Sequence, residues 1–204
     1  MFRKIVSRIK FIFNPDMVLV YQYGKVGSTA LADSLEYGLN AHDLYGNPMC
    51  PPGFKIRNSL FYRLFLYKLL RFFKRNLIRM RGEVCIVVPL RSPAERNISM
   101  FFQDLPFWYA YYFSKNKAYA KSEGIGILQE IFSTCFPHKF CDNWFDKEFS
   151  RFTGIGLGDI DFDAGLGVGT AEKGKYKCLF IHHDLIDTEL GKREMKKFTG
   201  KMLK

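Results

Sequence analysis

Residues 24–29 read Gly-Lys-Val-Gly-Ser-Thr, two glycines around a lysine followed by two hydroxyls. Glycines let backbone N–H groups come close to an anion, Lys25 adds a point charge, and Ser28 and Thr29 add hydroxyl donors. The chemistry this favours is the holding of a phosphate or a related oxyanion. It is not the ATP-type loop Gly-x-x-x-x-Gly-Lys-Ser/Thr, because Lys25 precedes Gly27. Two further glycine runs, Gly154–Gly158 and Gly165–Gly169, neither follow a strand nor open a helix, and residues 152–175 read as a flexible loop. Cys135, His138 and Cys141 stand close in sequence but lack a fourth ligand, so no zinc site is expected there.

The elements that must position the loop are legible around it. Residues 17–23, Met-Val-Leu-Val-Tyr-Gln-Tyr, form a continuous apolar run of the kind found in buried parallel strands. After the loop, Leu31, Leu35 and Leu39 recur every four residues and predict a helix with Ser28 as N-cap. Residues 83–90 predict a second strand, ended by Arg91. Ser92, Pro93 and Glu95 then read as N-cap, first helical residue and capping-box partner of a helix reaching about Gln103. A third strand is predicted over Tyr176–Ile181, just before His182-His183-Asp184-Leu185, and another is expected near His42. Strands alternating with helices predict an α/β protein with a parallel sheet, and ligands of such sheets bind beyond the carboxyl ends of the strands. Between the first two units, Leu60–Met80 predicts an amphipathic helix with basic residues at Lys68, Arg71, Arg75 and Arg79. A packed helix with a solvated basic face and a helix that touches anionic lipid or a polyanion both fit that stripe.

Composition bounds the rest. The chain has 204 residues, 48% hydrophobic and 25% charged, which excludes a disordered tail or a low-complexity array. Its 31 Lys+Arg against 20 Asp+Glu give +11 and favour an anionic partner. Five scattered cysteines imply no disulfide framework, so reduced thiols are expected. No run is long enough for a membrane span and no signal peptide stands out.

Tyr23-Gly-Lys-Val-Gly-Ser-Thr29 and Leu90-Arg-Ser-Pro-Ala-Glu-Arg-Asn-Ile-Ser99, in this order and each at a strand-to-helix turn, resemble the two nucleotide-binding elements of sulfotransferases. With Trp144-Phe145-Asp146, the chain is more narrowly similar to bacterial capsular polysaccharide synthesis proteins of sulfotransferase type, over roughly residues 17–188. It departs at Ser92, where Asp is usual, at His183-Asp184-Leu185, where an acidic pair is common, and in stopping soon afterwards. The resemblance implies a single sulfotransferase-like domain over 1–204, short of a C-terminal portion, with a P-loop-like parallel sheet flanked by helices. It implies transfer of a sulfuryl group from 3′-phosphoadenosine 5′-phosphosulfate to a carbohydrate or polysaccharide hydroxyl, without metal. Gly24, Lys25, Val26, Gly27, Ser28 and Thr29 would hold the 5′-phosphosulfate, and Arg91 and Ser99 the 3′-phosphate. Negative charge grows on the bridging oxygen during transfer, so Lys25 is the expected catalytic cation. The acceptor hydroxyl needs a base; His42 is the first choice, Glu36 and Asp33 its rivals, with His182 and His183 given structural roles. A cytoplasmic protein is expected, peripheral at the inner membrane face and without nucleic-acid binding. Two other readings fit parts of the chain: a nonenzymatic basic module acting through Leu60–Met80, and a P-loop kinase-like phosphotransferase.

Overall fold

The computed structural model describes residues 14–35, 37–42, 44–45, 58–115 and 124–200. Strand β1 (Val18–Tyr21) leads through the glycine loop into helix α1 (Ser28–Ser34) and strand β2 (Gly38–Ala41). Helix α2 (Asn58–Arg79) and strand β3 (Val84–Leu90) follow, then helices α3 (Pro93–Gln103), α4 (Leu105–Lys115) and α5 (Ile125–Cys135). Helix α6 (Phe140–Trp144) continues through a π-helical turn (Phe145–Ser150) into the short α7 (Arg151–Thr153). Strands β4 (Asp161–Asp163), β5 (Val168–Lys173) and β6 (Tyr176–His182) close the sheet, and helix α8 (Glu189–Thr199) follows.

The result is an α/β fold with one six-stranded sheet in the order β2-β1-β3-β6-β5-β4. The neighbours β2, β1, β3 and β6 run parallel, while β5 and β4 add an antiparallel edge. The expected parallel sheet is present over four strands, and the antiparallel edge adds to it; the flexible loop expected over 152–175 is corrected by that edge. Asp163 Oδ1 accepts from the backbone N–H of Gly165 and Leu166, turning the chain back so that β5 pairs with Tyr176–Ile181 of β6. Glycine and short strands weakened the period-two signal in the sequence, but pairing to an existing strand needs only a compatible backbone.

Both faces of the central strands are covered, which is why β1, β3 and β6 are largely apolar runs. On one face Leu19, Tyr21, Ile86, Val88, Cys178 and Phe180 pack with Trp144, Phe149 and Phe152. On the other, Val18, Val20, Val87, Leu179 and Ile181 pack with Leu31 and Leu35 after the loop and with Met195 of α8. A separate aromatic cluster, Phe101, Trp108, Ile131 and Phe136, joins α3 to α4 and α5.

Three local expectations fail. Leu39 is not helical but sits in β2, because α1 stops at Ser34 and Gly38 approaches Ala32 so closely that a Cβ there would lie 2.2 Å from its carbonyl oxygen. The N-cap of α1 is Gly27, at φ +71°, rather than Ser28. Ser92 does precede α3, but without a side-chain cap bond, and Glu95 pairs with Arg91 instead of closing a capping box. Of the rival bases, Asp33 is exposed on α1, and Glu36 lies outside the described residues.

Candidate functional site

The loop after β1 is bent by three residues in the left-handed region: Gly24 (φ +88°), Lys25 (φ +63°) and Gly27 (φ +71°). Lys25 is the sole non-glycine with positive φ among the described residues. Such a conformation costs a residue with a Cβ roughly 1–3 kcal/mol and persists where the surroundings over-determine it. Val26 supplies the anchor, fully buried in the core beneath the sheet's carboxyl edge, while Gly24 and Lys25 remain half-buried. Ser28 is buried as well, its Oγ accepting from Asn40 Nδ2 at 3.4 Å, and Thr29 is exposed.

Because β3 lies beside β1, the loop meets the β3–α3 turn. Tyr23 spans the gap: its hydroxyl donates to Arg91 O and accepts from Arg91 N, both at 2.9 Å. Burial pushes the Tyr23 phenol up to about 12, so it remains a donor through the neutral range. Arg91 Nη1 donates to Lys25 O at 3.1 Å, while its Nε is 3.4 Å from Glu95. Arg91 is therefore next to the loop with two of its three nitrogens engaged. Ser99 is half-buried two turns along α3, and among the described residues its hydroxyl makes no hydrogen bond to the loop.

Arg96 carries more of this geometry than sequence reasoning gave it. Its guanidinium is fully buried, donating to Tyr23 O at 2.9 Å, Gly24 O at 3.4 Å and Asn97 Oδ1 at 3.1 Å, and stacks on Phe140 at 4.3 Å. Desolvation holds its pKa below the ordinary arginine range. The signal was its place within the Leu90–Ser99 stretch, about 100° around α3 from the exposed Glu95.

His42 comes to the same loop from β2. A buried glutamine joins them: Gln22 accepts from Gly24 N, and its Nε2 lies 2.5 Å from His42 Nδ1 and 3.1 Å from Nε2, so the ring accepts from the amide. A Cβ on Gly24 would sit 4.0 Å from His42 Nδ1 and 3.6 Å from Arg96 Nη2. His42 is otherwise exposed, with its carbonyl held by Trp144 Nε1 at 2.8 Å. The turn beyond it is fixed by Glu148, 1% exposed, whose carboxylate accepts from Tyr21 Oη at 2.9 Å, Leu44 N at 2.8 Å and Tyr45 N at 3.0 Å. Gln22 and Glu148 carried no motif, and nothing in their sequence neighbourhood singled them out.

The basic stripe of α2 is not simply solvated. Arg75 and Arg79 lie 4.5 and 5.9 Å from the Tyr45 ring, joined by Arg151 at 4.1 Å, and Lys74 Nζ donates to Asn40 O at 2.8 Å. The stripe is thereby tied to β2, the strand that ends just before His42. No helix of the described residues is long and apolar enough to cross a membrane.

The site that emerges has Lys25 on a bent glycine loop, two arginines behind it and an imidazole at its rim. Compared with family models, with curated proteins and with solved structures, the chain matches none.

Proposed function

We propose that the chain is a sulfotransferase, moving a sulfuryl group from 3′-phosphoadenosine 5′-phosphosulfate to a carbohydrate hydroxyl, in capsular or other cell-surface polysaccharide synthesis. The observation that carries the reading is the joining of the two resembling motifs: Tyr23 and Arg91 tie the Gly24–Thr29 loop to the β3–α3 turn at the sheet's carboxyl edge. Loop and turn then face one nucleotide, the loop taking the 5′-phosphosulfate and Arg91, through its remaining donors, the 3′-phosphate. Arg96 positions rather than binds, since its buried guanidinium donates to Tyr23 O, Gly24 O and Asn97 Oδ1.

In the step itself, the acceptor oxygen forms a bond to sulfur while the bond from sulfur to the bridging phosphate oxygen breaks. The electron pair goes to that oxygen, where the Lys25 ammonium meets it, and the hydroxyl proton goes to His42. For that the acceptor hydroxyl replaces the Gln22 amide on the imidazole. Lys25 and Arg91 supply the positive charge for this step.

Two variants test the assignment. Lys25→Ala should lower sulfuryl transfer about 10²-fold or more, the scale of a lost oxyanion donor, with a much smaller loss of product-nucleotide affinity. His42→Ala should lower turnover ~10²–10⁴-fold and leave nucleotide affinity alone. Equal losses in turnover and affinity would reduce Lys25 to a binding residue, and an unchanged rate would remove His42 from the mechanism.

A further inference from the structure

At the end of β6, outside the nucleotide reading, the structure gathers three metal-ligating side chains. We propose that His182, His183 and Asp184 bind one divalent transition-metal ion of the zinc, cobalt(II) or nickel(II) class.

Each of the three offers a ligand atom, and these atoms all lie within 4.8 Å of one another. Asp184 reaches both rings, Oδ2 at 3.4 Å from His182 Nδ1 and Oδ1 at 3.0 Å from His183 Nε2. Two ligands of one tetrahedral ion, each about 2.0–2.1 Å from it, stand about 3.3 Å apart. Asp184 is thus near ligand spacing from each imidazole, and the ion would draw the two rings closer together from within the 4.8 Å cluster.

The backbone under them is fixed. His182 pairs with Leu90 of β3 and donates its N–H to Gly167 O at 2.8 Å. His183–Leu185 form a 3₁₀ turn, and Gly191 of α8 packs so tightly on it that a Cβ would lie 1.9 Å from Leu185 O. His183 Nδ1 is buried and, among the described residues, has no hydrogen-bond partner, so the ring's one polar partner is Asp184. Without an ion, a single carboxylate serves two imidazoles.

Two imidazoles and a carboxylate suit borderline ions; magnesium and calcium prefer all-oxygen sets. With Asp184 71% and His182 38% exposed in their side chains, the fourth position falls to water, which makes an open site rather than a closed structural one. The site stands beside the end of β3 that runs into Arg91, but it does not depend on the nucleotide reading.

The test is titration of zinc chloride alone into the chelator-stripped full chain, without nucleotide, followed by cobalt(II) absorption. One saturable ion per chain is expected, with nitrogen/oxygen-type cobalt bands and no thiolate-to-cobalt charge transfer. His182→Ala and Asp184→Asn, at partly or largely exposed positions, should each weaken zinc by about 100-fold or more, at or above the upper end for loss of a supporting group. Circular dichroism checks their fold, and His138→Gln should bind zinc as the parent does. Absence of saturable binding, unchanged affinity in both folded variants, or a thiolate band would each overturn the site.

Discussion

Lys25 is where conformation and chemistry conflict most directly. A lysine held at φ +63° is strained, and a glycine there would not be. Lys25→Gly should therefore leave thermal stability unchanged or raise it by ~1 kcal/mol, while transfer falls as far as in Lys25→Ala. Melting and turnover measured on the same preparation read both effects; a large loss of stability would mean that the lysine holds the loop rather than serving it. Tyr23 and Cys178 give a second residue-scale expectation. Burial raises both, to about 12 from 10.0 and 9.0. The fold binds these protons more tightly than the unfolded chain does, so the stabilisation is full below pH 9 and is lost as pH rises towards 12. Each group contributes roughly 1.4 kcal/mol per pH unit across its window. Denaturant midpoints should fall steeply between pH 9 and 12, and Tyr23→Phe should flatten the upper part of that fall. A flat profile would contradict the burial of both groups.

At the scale of elements, the strand–loop–helix unit was legible because its signals are local, an apolar run, two glycines and a lysine, whereas the leucine spacing overran the helix into β2. What sequence could not give were the buried polar residues that join elements far apart in the chain. Gln22 bridges the loop to His42, and Glu148 reaches 104 residues back to Leu44 N. A glutamate in an aromatic helix looks like any solvated charge until its three donors are known. Glu148→Ala should orphan Tyr21 Oη and the Leu44 and Tyr45 amides at a cost of ~3 kcal/mol or more, seen as a lower midpoint in urea. Glu148→Gln, which keeps two acceptor sites, should lose less. The β4–β5 hairpin was missed for a different reason: its glycines imitate a loop, and only β6 reveals them as paired.

For the whole molecule, the net charge of +11 and the opening of the loop at the sheet's carboxyl edge both suit the anionic ligand we propose. Neither says which anion, and the parallel sheet with its antiparallel edge serves many chemistries. The second phosphate sits on the 3′-oxygen in this nucleotide and on the 5′-phosphate in ADP, and Arg91, beside the loop with one nitrogen uncommitted among the described residues, is the residue we propose for it. Calorimetry of the wild-type chain with 3′-phosphoadenosine 5′-phosphate and with ADP, in EDTA, with Arg91→Ala alongside, is the most direct measurement. The account predicts metal-free binding of the bisphosphate, tighter than ADP, with Arg91→Ala losing ~1.5–3 kcal/mol for that ligand and little for ADP. Equal affinity for the two nucleotides, or none for either, would contradict it.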